Sequence, residues 1–219
     1  MELKIEKTNF YRNPFIGLFL KTNNSITLLP DGTPHKLLQL AESTLETKPV
    51  HLLIDQSSLV GIFTALNDNG CVLPEFAEKK ETDLLKKQGL NVLLLRNYAP
   101  GNNILCNNKA CLVNSEIDHD EAKKIGDCLG VEVFRQKTGA NTVGAANVVT
   151  DKGLLAFNET SEIELKYLEK SFGSKGIVGT TNLGSQYNGI SLVANNKGAL
   201  VGESTTGVEM QRIYEALNG

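Results

Sequence analysis

The chain has no secretory start: Met1-Glu2-Leu3-Lys4-Ile5-Glu6 alternates charged and apolar residues, where an export signal needs a basic start and an apolar core. No apolar run approaches the ~20 residues of a membrane span. The expected setting is therefore the cytosol, with no membrane partner. No CxxC pair occurs, and without an export signal the four cysteines (Cys71, Cys106, Cys111, Cys128) read as reduced thiols. The acceptor spacings at Asn23-Asn24-Ser25 and Asn158-Glu159-Thr160 carry no weight in that setting. Proline-rich, acidic and basic tracts are also missing. Hydrophobic residues at 41% and charged residues at 21% describe an ordinary globular chain, expected to be ordered throughout its 219 residues. A net charge of −3 argues against wrapping DNA or RNA on a dense basic surface, and suits a basic protein partner better.

Enzyme signatures are missing too. There is no P-loop, no GxGxxG after a strand, no HExxH and no GxSxG. His35, His51 and His119 fall at two helix starts and in one strand without metal-ligand spacing, so neither a metal nor a cofactor is expected.

What the sequence does contain is one phrase written five times. The copies are "GLFLKTNNSITLLP" from Gly17, "GIFTALNDNGCVLP" from Gly61, "GNNILCNNKACLVN" from Gly101, "GAANVVTDKGLLAF" from Gly144 and "GISLVANNKGALVG" from Gly189. The anchor glycines lie 44, 40, 43 and 45 residues apart. Seven residues after each anchor stands Asn24, Asp68, Asn108, Asp151 or Asn196. These types tolerate positive φ, so each phrase predicts two short strands, starting at the anchor and joined by a tight turn.

A helical pattern follows each hairpin. Thr33-Pro34 predicts a capping residue with proline at the first helical position, and Ser161-x-x-Glu164 and Thr206-x-x-Glu209 predict capping boxes. Leu165, Leu168 and Phe172, and then Met210, Ile213, Tyr214 and Leu217, form core-facing stripes. Gly89, Gly130, Gly173 and Gly219 stand where left-handed C-terminal caps are needed. Four helices precede further β-rich runs, at 50–55, 90–97, 131–138 and 176–181. The fifth has none after it, and residues 3–8 are expected to supply the missing strand from the other end of the chain.

Three strands and a helix cannot cover their own apolar face, so five such units are expected to pack in a circle. The predicted fold is α+β: one domain over residues 1–219, a five-bladed αβ propeller with pseudo-fivefold symmetry, closed in its last blade by the N-terminal strand. Such closure suits a monomer. Propellers of this kind include enzymes that modify guanidino groups with a late cysteine nucleophile, yet no cysteine follows Cys128. Cys71 and Cys111 share a strand position that is small or apolar in the other copies, which predicts buried, inert thiols. The loops entering the anchors mix aromatic, small and polar residues and must emerge at one end, a composition common in protein contact sites.

The five anchors, "VEVFRQ" at 131–136, "SSLVG" at 57–61 and "NNKGALVGESTTGVE" at 195–209 together resemble the translation initiation factor 6 family along the whole chain. The resemblance implies the five-bladed, pentein-like propeller. It also implies a factor without enzymatic activity that binds the large ribosomal subunit, prevents premature joining of the small subunit, and accompanies large-subunit maturation. Its implied partners are a ribosomal protein beside the sarcin–ricin loop and nearby rRNA. Gly101-Asn102 matches the family's contact in the third blade, and Ser57 and Ile62 flank the anchor of the second. The equivalent loops add Ser58, Tyr98, Thr142, Tyr187 and Asn188 as expected contacts. Asn102 leads, because Leu18, Ile62, Ala145 and Ile190 follow the other anchors and a polar amide breaks that pattern. A guanidino-modifying enzyme and a scaffold for a non-ribosomal protein are the alternatives. Asp55-Gln56 departs from the glycines archaeal relatives usually carry there, and Asn114-Ser115 and Phe157-Asn158 stand where those relatives commonly have proline. With no segment beyond the fifth helix, the sequence resembles the archaeal form.

Overall fold

A computed structural model describes residues 2–96, 98–137 and 139–219. Fifteen strands form five three-stranded sheets, interleaved with eight α-helices, among the described residues. The N-terminal strand β1 (Lys4–Thr8) precedes lobe 1, which consists of β2 (Lys21–Thr22), β3 (Ile26–Leu29), α1 (His35–Ser43) and β4 (Lys48–His51). Lobe 2 runs α2 (Val60–Phe63), β5 (Ala65–Leu66), β6 (Gly70–Pro74), α3 (Lys79–Lys87) and β7 (Asn91–Leu95). Lobe 3 repeats this as α4 (Pro100–Asn103), β8 (Ile104–Cys106), β9 (Ala110–Val113), α5 (His119–Leu129) and β10 (Glu132–Arg135). Lobe 4 comprises α6 (Val143–Ala146), β11 (Val148–Val149), β12 (Gly153–Ala156), α7 (Glu162–Phe172) and β13 (Lys175–Val178). Lobe 5 has only β14 (Leu192–Ala194), β15 (Gly198–Gly202) and α8 (Gly207–Leu217).

Each central strand pairs antiparallel with the strand before it and parallel with the strand after the helix. In lobe 5 the parallel partner is β1, in register from Lys4 against Gly198 to Thr8 against Gly202. The two ends of the chain thus complete one sheet, as the repeat predicts.

The apolar residues form five cores, each shared by two lobes. Leu28 and Val50 meet Leu73 and Leu85 between lobes 1 and 2, and Val72 meets Ile104 and Ile125 between lobes 2 and 3. Leu112 packs with Phe172 between lobes 3 and 4, and Leu155 with Ile213 between lobes 4 and 5. The fifth core joins Val193 and Leu200 of lobe 5 to Leu20 and Leu37 of lobe 1. The stripe residues Leu168, Phe172, Ile213 and Leu217 are buried in these cores. No helix among the described residues is long and apolar enough to cross a membrane.

Local chemistry sets the element ends. Ser161 and Thr206 cap α7 and α8 through the boxes the sequence predicts. Gly130 and Gly173 take φ of 67° and 60° at their C-caps, and Gly89 and Gly219 are left-handed as well. Four expectations need correction. None of Asn24, Asp68, Asn108, Asp151 and Asn196 takes a positive φ; the turns close instead through the side chains one residue earlier, Asn23, Asn67, Asn107, Thr150 and Asn195, which accept from the N–H groups two and three residues on. The helix after the first hairpin begins at His35, with Pro34 as N-cap, because the Thr33 hydroxyl turns back to the Pro30 carbonyl at 2.6 Å. The third strands are shorter than the β-rich runs: Thr181, for instance, already belongs to a turn bridged to Ser185. The outer ends of two runs, at Asn97 and Thr138, lie outside the described residues. Finally, the anchor glycines do not begin strands. They sit in short helical turns, α2, α4 and α6 and the 3-10 turns Ile16–Leu18 and Asn188–Ile190.

Candidate docking surface

Those helical turns explain the anchors. A Cβ on Gly61 would overlap the Gly17 carbonyl oxygen; Gly101 is set the same way against Gly61, Gly144 against Gly101, Gly189 against Gly144, and Gly17 against Gly189. The five turns therefore stack backbone to backbone in a series that returns to its start. Only glycine leaves room for that approach.

The loops entering these turns meet the turns that lead from each central strand into its helix. Tyr11 Oη donates to the Gly32 carbonyl, Tyr98 Oη donates to the Glu116 carbonyl at 3.1 Å, and Gln186 Nε2 donates to Glu159 Oε1 at 3.0 Å. Asn9 donates to Glu203, and Arg96 pairs with Glu75 at 3.1 Å. Each lobe thereby brings one exposed carboxylate, Asp31, Glu75, Glu116, Glu159 or Glu203, to the anchor end, fourteen or fifteen residues after its anchor.

Three of the loops hold non-glycine residues at left-handed φ. Tyr11 and Arg12 stand at 50° and 69°, Asp55 and Gln56 at 47° and 65°, Asn182 and Leu183 at 46° and 61°. The Asp55-Gln56 pair thus takes the conformation that glycine adopts freely. Two capping carboxylates hold these turns. Glu81 Oε1 accepts from the Asp55 N–H at 3.0 Å. Glu209 accepts from the N–H groups of Leu183, Gly184 and Thr206 and from the hydroxyls of Thr180 and Thr206. Burial opposes ionisation of Glu209, but these bonds outweigh it and hold the carboxyl below its ordinary range.

The expected contact residues divide into two sets. Asn102 is half-buried in α4 rather than at a strand start, and only its backbone N–H is engaged, to Ala99 O at 3.0 Å. Its side-chain amide has no partner among the described residues. The neighbouring asparagines are committed to the fold: Asn103 donates to Ala99 O and accepts from Asn114, and Asn147 donates to Val143 O and accepts from Phe157 N. Ile62 lies on the turn below, where its carbonyl oxygen faces Gly101. Thr142 stands at the N-cap position of α6 without a side-chain capping bond, Ser57 and Ser58 shape the loop into α2, and the side chains of Ile62, Thr142, Ser57 and Ser58 are all half-buried. Tyr98 is half-buried and Tyr187 is exposed beside Phe157, their ring centroids 5.6 Å apart. Burial, then Glu121 and Glu116, raise the Tyr98 hydroxyl above its usual range. Asn188 differs: it is fully buried and its amide donates to the carbonyls of Ala156 and Gly179 at 3.1 and 3.0 Å. It supports the loop from within.

The opposite end carries the register asparagines and aspartates. Asn24 N donates to Asp68 Oδ1 at 2.8 Å, Asp68 N to Asn108 Oδ1, Asn108 N to Asp151 Oδ1, Asp151 N to Asn196 Oδ1, and Asn196 N to Asn24 Oδ1 at 3.0 Å. Each side chain caps the turn of the neighbouring lobe, so the series also returns to its start. Burial disfavours the charge of Asp151, yet the amides of Asn196 and Asn108 outweigh it and hold its carboxyl below the usual range. Between the two ends, Lys21, Cys106 and Asn147 share a cavity of about 50 Å³ with apolar side chains. Burial lowers the pKa of Lys21 there, against the opposing pull of Cys106 and Cys71, and no carboxylate among the described residues pairs with it. Among the described residues no group of histidine, cysteine or acidic side chains could hold a metal ion.

The model of the eIF-6 family matches residues 5–216. The chain belongs to the eIF-6 family. Three archaeal relatives, each named translation initiation factor 6, show how evenly the family likeness extends. The protein of Saccharolobus islandicus strain L.S.2.15 is 41% identical over 221 residues, covering 98% of this chain and 99% of its own. That of Pyrobaculum arsenaticum is 40% identical over 205 residues, 92% of this chain and 93% of its own. That of Picrophilus torridus is 37% identical over 220 residues, 98% of this chain and all of its own. Membership in the eIF-6 family gives the chain a role connected with translation.

Proposed function

We propose that the five lobes make a rigid five-bladed αβ propeller, a single domain over residues 1–219, whose anchor end docks on the large ribosomal subunit. There it obstructs the face that the small subunit must approach. The observation that carries this reading is the uncommitted amide of Asn102, held in place by the glycine-stacked turns while its neighbours' amides are used internally. Ser57, Ser58, Ile62, Tyr98, Thr142 and Tyr187 complete the contact surface, and buried Asn188 acts behind it.

The partner is a basic ribosomal protein beside the sarcin–ricin loop, with nearby rRNA. The five carboxylates at Asp31, Glu75, Glu116, Glu159 and Glu203 favour the protein as the main contact and leave the rRNA a peripheral one: they attract lysine and arginine and repel phosphate, and steer encounter in a salt-dependent way. A rigid body with a standard interface of about 1,600 Å² needs no chemistry to obstruct joining. The protein accordingly works without enzymatic activity or cofactor, as a cytoplasmic monomer off the ribosome, and accompanies large-subunit maturation. Sedimentation with purified large subunits tests the reading: the wild-type chain is expected to travel with the subunits and Asn102→Asp to stay behind. Wild-type protein remaining at the top of the gradient would overturn it.

A further inference from the structure

Lobe 3 holds a pair of thiols that docking does not use. Cys106 ends β8 and Cys111 stands opposite it in β9. Hydrogen bonds in this hairpin join Asn107 with Ala110 and Asn103 with Asn114. Counting between them, the Cys106–Cys111 position is a non-hydrogen-bonded one, where Cα atoms come within about 4.5 Å and side chains converge. Disulfides bridge Cα separations of about 4.4–6.8 Å. Lobe 1 shows how closely the γ atoms approach at this place in the repeat: Thr22 and Thr27, in the same register, touch Oγ1 to Oγ1 at 2.9 Å. The other lobes place Leu66 with Cys71, Val149 with Leu154 and Ala194 with Ala199 at these positions. Lobe 3 alone sets two thiols together.

Access to them is unequal. Cys111 is fully buried, whereas Cys106 is half-buried and lines the cavity that holds Lys21. At about 50 Å³ this cavity admits a molecule the size of water or hydrogen peroxide. Burial pushes the Cys106 thiol up to about 11, and the Lys21 ammonium pulls in the opposite direction. The thiolate is consequently scarce at neutral pH, and its reaction is slow there.

We propose that Cys106 and Cys111 form an oxidisable dithiol, which hydrogen peroxide converts into a disulfide across the lobe 3 hairpin. The Cys106 thiolate attacks one peroxide oxygen; an S–O bond forms, the O–O bond breaks, and the departing hydroxide takes a proton to become water. The Cys111 sulfur then attacks the Cys106 sulfenic acid, losing its proton as the S–S bond forms and the S–O bond breaks, with a second water released. Two thiols are oxidised by two electrons and one peroxide is reduced. The new bond lies directly below Asn107 and Asn108, at the tip that exchanges bonds with lobes 2 and 4.

The full-length chain, treated with hydrogen peroxide, quenched and unfolded, gives the test. Two of its four thiols should disappear together, with the mass lower by two hydrogens and one cross-linked peptide joining 106 to 111. Dithiothreitol should restore both. The rate should rise roughly tenfold per pH unit in the alkaline range, following the thiolate. Cys111→Ser should leave a sulfenic acid on Cys106 that dimedone captures, and Cys71→Ser with Cys128→Ser should leave the cross-link intact. The mapping on wild-type protein requires no variant to fold. Four thiols surviving peroxide, a cross-link between Cys71 and Cys128, or over-oxidation of Cys106 without a cross-link would each overturn the proposal.

Discussion

Replacing Gly61 by alanine puts one methyl group where two lobes meet. The added Cβ would overlap the Gly17 carbonyl oxygen and stand 2.7 Å from that of Leu20. Both are backbone atoms, so no flexible side chain can give way and lobe 2 must shift against lobe 1. Overpacking of a well-filled site costs about 1–3 kcal/mol, and a backbone-to-backbone clash belongs at the upper end. Alanine recovers at most about 1 kcal/mol through its better helix propensity, and less in a four-residue helix. A net loss of about 2–3 kcal/mol remains, which for a chain of this length lowers Tm by about 4–12 °C. Gly207 is the control: it opens α8, and a Cβ there meets nothing within 4 Å. Thermal unfolding followed by circular dichroism should show Gly61→Ala well below wild type and Gly207→Ala level with it or slightly above. A Gly61→Ala protein that melts with the wild type would refute the stacking of the anchor turns.

Asn102→Asp should weaken large-subunit binding at least tenfold in sedimentation while leaving Tm nearly unchanged, since the amide it alters has no internal partner. Glu209→Gln should cost about 2–3 kcal/mol at neutral pH, because an amide cannot accept from all the donors that converge on the carboxylate. The Glu209 pKa is depressed in the fold, so its stabilisation is present above the ordinary carboxylate range and is lost as pH falls through the folded value. Urea titrations should therefore show the gap between wild type and Glu209→Gln closing on acidification; a gap independent of pH would contradict the assignment. Asp151→Asn should cost about 1–2 kcal/mol, since its new amide faces the Nδ2 groups of Asn108 and Asn196, both donors. Denaturant melts that leave its midpoint unmoved would argue against the bonds between hairpin tips.

The repeat was the most legible feature of the sequence. Asn24, Asp68, Asn108, Asp151 and Asn196 in register marked five tight turns, though none of them takes the positive φ that suggested it, and the same five residues prove to bond one another across lobe boundaries. That second role is invisible locally, because the partners lie 40 or more residues apart. The helical turns at the anchors were misread because stretches such as Gly61-Ile-Phe-Thr are apolar and too short for periodicity to separate a strand from a single helical turn. Tertiary stacking decides their conformation. Asn188 looked like its surface neighbours in a loop, yet the structure uses its amide to satisfy two buried carbonyls. The left-handed turns at Tyr11-Arg12 and Asn182-Leu183 carried little signal, since neither pair contains glycine, the usual marker, and only the second has one beside it, at Gly184. Asp55-Gln56 could be suspected only from what relatives place there.

Light scattering of purified large and small subunits mixed with increasing amounts of the protein measures the central claim most directly. Joining should fall in proportion to the large subunits occupied, and pre-incubation with large subunits, not small ones, should produce the effect. Undiminished joining at saturating protein would contradict the account.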